Sequence, residues 1–337
     1  MKKIIYLAFI ILLLATCKKS PTEPTFDGTF PDPAFEAAVR ASINLPEGKI
    51  TQAHLDTLTY LHTDWDYYNS QISDISGIEF CKNLKRVELA WSNLTNINLL
   101  KHCFTVEELD LSGNKIEEIT SLSGLINLKI LRLLDNHIFD IDVLSKLVNL
   151  EEVYIAGNNI SDVSALQNLT KLRYAILSSN QITDITPLIG LPELKTLYAD
   201  INNIESVNIN MEMKSLLNLN LSYNHLSELN CNVIQQELRS LNLFNNSIFD
   251  IGFLEQFPNI SSLVCGNNNL ESISILSTLN NLNYIHLASN DISNIYSLVE
   301  NSGFDSGHLY LMDNPLSEQS INEYIPILEA RGVSVQY

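Results

Sequence analysis

The stretch Val106–Ile119, VEELDLSGNKIEEI, decides how this chain is read. With Val106 as position 1, apolar residues fall at positions 1, 4 and 6 (Val106, Leu109, Leu111) and an asparagine at 9 (Asn114). Ile116, Ile119, Leu122 and Leu125 follow at 11, 14, 17 and 20, and position 1 returns at Leu128, 22 residues on. The frame starts at Leu84, Val106, Leu128, Leu150, Leu172, Leu194, Leu216, Leu238, Ile260 and Leu282, and again at Ser306 after a two-residue insertion near Asn301–Gly303. That makes 11 copies, preceded by a degenerate one between about Leu58 and Asn83. A fixed period of this kind marks stacked units, none of which can bury a core alone.

Positions 3 to 7 alternate, so 4 and 6 point inward and 3, 5 and 7 outward on a short strand. Strands of successive copies then pair in parallel, about 4.8 Å apart. Position 9 is asparagine at Asn114, Asn136, Asn158, Asn180, Asn202, Asn224, Asn246, Asn268, Asn290 and Asn314. An amide both donates and accepts, so a stacked ladder can satisfy backbone groups that the bend after each strand would bury unpaired. We read these residues as structural; Ser92 takes the position in the first copy.

The L-x-x-L-x-L-x-x-N-x-I/L pattern resembles the leucine-rich repeat. The 22-residue period, with SDVSALQNL at 161–169 and TDITPLIGL at 183–191, resembles the internalin-type bacterial subfamily. The resemblance covers roughly residues 31–337. It implies an α/β solenoid: a right-handed horseshoe of about 11–12 repeats with a parallel concave β-sheet. It also implies a surface protein with a protein ligand. The chain departs from that family in showing neither an immunoglobulin-like segment after the repeats nor a wall-sorting signal, so host invasion does not transfer.

The open ends of a stack need covers. In FPDPAFEAAVRASI, Asp32 is a helix N-cap, Pro33 the first helical residue, and Phe35, Val39 and Ile43 an apolar stripe. At the other end Ser320 and Glu323 suggest a capping box, Pro326 a kink, Gly332 a helix stop and Val333–Tyr337 a closing strand. The copies at Leu194 and Leu216 lose leucine at 17 and 20 (ESVNINMEMK, SELNCNVIQQ), which predicts irregular convex segments.

The N-terminus carries Lys2 and Lys3, then the apolar run Ile4–Ala15. That run is too short for a bilayer span and fits a secretory signal. Leu14-Ala15-Thr16-Cys17 resembles a bacterial lipobox, which implies cleavage before Cys17 and lipidation of its thiol. The expected organisation is a signal at 1–16, a lipidated Cys17 and flexible tether at 17–30, an N-terminal cap at 31–61, repeats at 62–316 and a C-terminal cap at 317–337. The location implied is a bacterial envelope, at the outer membrane or cell surface. The lipid is the only membrane contact expected.

Lys+Arg number 20 against 39 Asp+Glu, a net charge of −19. Such a surface disfavours nucleic acid, whose phosphates want a basic face. No G-x-S-x-G, H-E-x-x-H, P-loop or Cys-x-x-Cys motif appears, so neither enzyme nor cofactor is expected. Cys81 and Cys103 share position 20 of adjacent turns, a spacing that admits either a disulfide or two small buried thiols. Cys231 and Cys265 read as packing. His286 and His308 fall on neighbouring strands without a third metal ligand.

The outward positions 3, 5, 7 and 8 carry the functional expectation. Early copies place Arg86, Glu88, Trp91, Glu108, Asp110, Arg132, Asp135 and Glu152 there; later ones place Tyr154, Tyr174, Ile176, Tyr198, Tyr223, Phe244, Tyr284, His286 and Tyr310. Aromatics recur at recognition hot spots, though they also favour strands for themselves. We expect a binding face on Trp91, Asp110, Arg132, Tyr154, Tyr174, Tyr198, Tyr223, Phe244, Tyr284, His286 and Tyr310, acidic toward its N-terminal end. A loop at Trp65–Tyr68 would add a lip. The expectation is a monomer that binds a protein; a carbohydrate ligand and a non-binding envelope spacer are the alternatives.

Overall fold

The computed structural model describes residues 25–63 and 71–337. The signal segment, Cys17 and the Trp65–Tyr68 loop lie outside the described residues. The protein is a leucine-rich-repeat solenoid with a single 13-stranded parallel sheet. Its first strand is Tyr60–His62 and its last Val333–Gln336, each in step with its neighbour: Tyr60 opposite Arg86, Leu61 opposite Val87, Tyr310 opposite Gln336.

The 22-residue spacing sets this register. Each inward residue of a strand meets its counterpart one turn on, and Leu109, Leu131, Val153, Ala175, Leu197 and Leu219 are fully or almost fully buried in one row. Burial of whole leucines contributes roughly 1.5–3 kcal/mol each before chain entropy is set against it. The core runs without a break from Phe30 to Val333. Both covers lie within residues 25–337 and close the core at its two ends.

The asparagine ladder closes the bend after each strand. Asn136 donates through Nδ2 to the carbonyls of Leu111, Leu133 and Leu134 at 3.0, 3.3 and 3.1 Å, and its Oδ1 accepts from Ile116 N–H at 3.0 Å. The pattern repeats from Asn114 to Asn314.

Two further ladders escaped the sequence reading. At position 13, Asp140, Asp162, Asp184 and Asp250 each accept from the N–H two residues on, which fixes the start of a 3₁₀ turn on the convex side. At position 22, Asn127, Asn149, Asn259 and Asn281 each donate to the position-21 carbonyl of the preceding turn.

The convex segments at Leu194 and Leu216 are not irregular. Ser206–Ile209 and Glu228–Cys231 pair in parallel as a second, two-stranded sheet. Val207 and Ile209 are buried while Ser206 and Asn208 are exposed, and that period of two favours a strand over a 3₁₀ turn. Gln235, 1% exposed, replaces the position-20 leucine. Its Oε1 accepts from Met213 N–H at 2.8 Å and its Nε2 donates to the carbonyls of Val233 and Met211.

Asp32 caps the helix Pro33–Ser42 through Ala34 and Phe35 N–H, and its second oxygen accepts from Ser73 and Asp74 N–H, tying cap to solenoid. The segment expected to be tether is folded from Phe26 onward. Phe26 packs on Phe30 and Phe80, and Phe30 lies over Gly77, where a Cβ would stand 2.5 Å from its ring. Aromatic rings within contact distance of the core outweigh the polar composition around them.

At the far end the Ser320–Glu323 capping box does not form. Ser320 Oγ donates to Ser293 O, and Ser317 Oγ takes the Ser320 N–H. Ser320–Tyr324 is a π turn leading into the helix Ile325–Ala330. Proline at 326 has no N–H to give, and the wider turn accommodates that loss. The insertion at Asn301–Gly303 lengthens the preceding convex turn into a short α-helix, Tyr296–Glu300, sealed by buried Asn301.

Candidate ligand-binding face

The concave face divides into three zones. Nearest the N-terminus, Arg86 lies over the Tyr60 ring, 5.0 Å from guanidinium carbon to centroid. Tyr60 donates to Glu88, and Arg86 pairs with Glu88 and reaches Glu108 at 3.5 Å. The arrangement recurs further on: Arg132 lies 5.1 Å over Tyr154, whose hydroxyl donates to Glu152 at 2.8 Å. Burial, then the neighbouring glutamate, pushes both phenols up to about 12. Arg86 and Arg132 thus hold Glu88, Glu108 and Glu152, while Asp110 and Asp135 leave the zone net acidic. Tyr154 is half-buried and held in place, not a free anchor. Asp110 is likewise occupied, accepting from Ser112 N–H at 3.0 Å.

In the middle zone Tyr174 and Tyr198 are 36% and 38% exposed. Beyond them lies a polar knot that the sequence reading missed. Asp200 accepts from Ser178 Oγ at 2.6 Å and Asn220 Nδ2 at 3.0 Å, and Asn220 in turn accepts from Ser222. The available signal was the run Ser178, Asp200, Ser222 at position 7 of these copies.

The third zone is a run of touching rings. Tyr223 meets Phe244 at 5.5 Å, Phe244 meets His286 edge-on at 5.7 Å, and His286 stacks on Tyr310 at 5.4 Å. Tyr284 joins through Tyr310 at 5.5 Å and reaches His308 at 6.4 Å. The intervening turn offers no aromatic ring, only Ser262, Val264 and Gly266. His286 bridges it by leaning over Gly266, where any Cβ would meet Nδ1 at 2.5 Å. That nitrogen is buried without a hydrogen-bond partner, and burial lowers the imidazole's pKa, so the ring is neutral near pH 7.

Trp91 and Tyr223 do not stand on the strands as expected. Position 8 is left-handed in every copy, with φ between 51° and 69° from Trp91 to Asp313. Glycine, asparagine, aspartate or serine fills most of these sites, as the conformation prefers. Trp91, Ile201 and Tyr223 occupy it at a cost of roughly 1–2 kcal/mol each and remain about half exposed. They form a rim where the strands end, and the Trp91 indole rests on Gly113.

Cys81 and Cys103 are free buried thiols, the second of the two alternatives, and burial raises both to about 12. Among the described residues no three His, Cys, Asp or Glu side chains cluster as a metal site.

Comparison with known proteins agrees with this geometry. The repeat of the family described as leucine-rich repeat and WD repeat-containing protein 1 matches residues 71–172, and a two-copy leucine-rich-repeat model matches 170–211. The fold is thus that of leucine-rich-repeat proteins, and it is similar to that of internalins. An internalin, InlF of Listeria monocytogenes, superposes with a TM-score of 0.77 at 25% identity, over 91% of this chain and 96% of that one. A leucine-rich-repeat protein of Leptospira interrogans shares the fold at 19% identity, over 77% of this chain and 74% of its own, with a TM-score of 0.65. No curated protein matches the sequence.

Proposed function

We propose that the chain is a lipid-anchored protein of a bacterial cell envelope that binds a protein ligand across the C-terminal half of its concave face. The unbroken contact of Tyr223, Phe244, His286, Tyr310 and Tyr284 carries the reading. The run crosses five turns, about 20 Å at the strand spacing, and is open rather than enclosed. Such a surface suits an extended macromolecular ligand, with rings as anchors and the Asp200–Asn220 knot as the polar flank. The likeness to InlF and the lipobox-like Leu14–Cys17 support a surface location.

The test compares residues 25–337 with a Tyr223→Ser/Phe244→Ser/Tyr310→Ser variant for capture of proteins and of glycans from envelope and host-cell extracts. A matched Tyr60→Phe control touches only the N-terminal zone. A protein captured by wild type and control, and lost at least ~30-fold by the triple variant, supports the proposal. Capture of a glycan instead moves the reading to a carbohydrate ligand. Equal capture by all three, or none, refutes a ligand site on this face.

A further inference from the structure

We propose that the two lateral edges of the solenoid are complementary, and that copies of this chain associate side by side through them. One edge is where the convex turns return to the strands. Phe104, Ile126 and Val148 occupy position 21 on three consecutive turns and are 55%, 55% and 52% exposed. They form a continuous apolar row that none of the described residues covers. Lys101 and Lys146 stand exposed along the same edge and make no ion pair among the described residues, while Glu107 and Glu151 there are taken up by Lys85, Lys129 and Arg173. In a chain of net charge −19 this is a local basic strip.

The opposite edge, where the strands end, has the reverse sign. Asp140, Asp162 and Asp184 are there for the backbone, as turn caps. Glu117, Glu118 and the Asp142 side chain have no such duty. With Phe139, 58% exposed, and half-buried Val143 they line a shallow groove.

An apolar row on one edge and an acidic groove centred on Phe139 on the other thus arise from the same turns. A sideways translation of one copy sets the Phe104 row against the Phe139 groove, with lysines facing glutamates. The 22-residue period keeps turn facing turn. Exposed apolar rows of this kind mark interaction sites. A contact between two different patches does not close on itself, so it extends into a row of copies. An anionic bilayer would account for the basic strip alone; a second copy accounts for both edges. The concave face stays open, so the inference stands apart from the ligand proposed above, and it replaces the monomer expected from the sequence.

Sedimentation velocity of residues 25–337, from micromolar to several hundred micromolar, tests it. One variant carries Phe104→Ser, Ile126→Ser and Lys101→Gln; the other carries Phe139→Ser, Glu117→Gln and Glu118→Gln. These are surface changes, and unchanged melting checks that both variants fold. Wild type should associate with rising concentration at low salt and weaken about 10-fold or more at ~0.5 M salt. Each variant alone should stay monomeric, and an equimolar mixture, with one intact edge of each kind, should stop at a dimer. A monomeric wild type at every concentration, or a mixture that forms no dimer, overturns the proposal. So does a wild type that ignores itself but binds phosphatidylglycerol vesicles through Phe104.

Discussion

His286 leans across Gly266 to reach Phe244, and a single methyl group on Gly266 would fall 2.5 Å from its Nδ1. Gly266 has no left-handed φ, but its Cβ would also stand 3.0 Å from the Ala288 carbonyl oxygen. Gly266→Ala should therefore cost about 1–3 kcal/mol while displacing His286 and breaking the ring run. We expect ligand capture to fall about 10-fold, and histidine resonances to report the shift by NMR. Unchanged capture would mean that the run's continuity is unimportant.

His286 gives a pH dependence of definite sign. Burial lowers its folded pKa below the ordinary 6.5, so between those two values the unfolded chain binds a proton that the folded chain does not. Its contribution is complete above about pH 6.5 and is lost as pH falls from there through the lower folded value. His286→Phe should flatten this part of the stability curve, measured by urea unfolding from pH 7.5 to 5. A curve unchanged by the substitution would show that the ring titrates as if exposed.

Asn180 tests the ladder. Its amide serves the carbonyls of Ile155 and Leu177 and the N–H of Ile160, all buried. Asn180→Ala strands these groups, at a cost of about 2–4 kcal/mol. Urea unfolding checks the size, and a loss below 1 kcal/mol would show that water replaces the amide.

Gln235 tests the convex sheet. Leucine is the usual residue at its position, so Gln235→Leu looks like a repair. In the structure it orphans Met213 N–H, which Gln235 holds at 2.8 Å. We expect destabilisation by about 1–3 kcal/mol, and faster hydrogen exchange at Met213. A more stable variant would mean that the segment relaxes to the ordinary 3₁₀ turn.

How much was legible follows from what each residue answers to. The leucines answer to the same position one period away, and the position-9 asparagines to backbone groups at fixed offsets in their own and the preceding turn, so spacing alone placed them on inward positions and in the bend. Position 13 is aspartate in only some copies, and these read as surface charge because their partner is a backbone N–H two residues on. The binding face was only half legible. Tyr154 and Tyr310 share position 5, but Arg132 and Glu152 hold the first while His286 and Tyr284 flank the second. No pattern within one repeat distinguishes them.

The sequence by itself determined the solenoid, its period, its inward rows and its asparagine ladder, because these repeat and each copy restates the same local demand. Tertiary structure alone decided what lies beside what across turns. It gathered glutamates of the acidic zone around two arginines, paired two defective convex segments into a sheet, and joined five rings through a glycine gap. Those relations depend on which side chain the next turn happens to carry, and contact between turns exists only once the chain is wound.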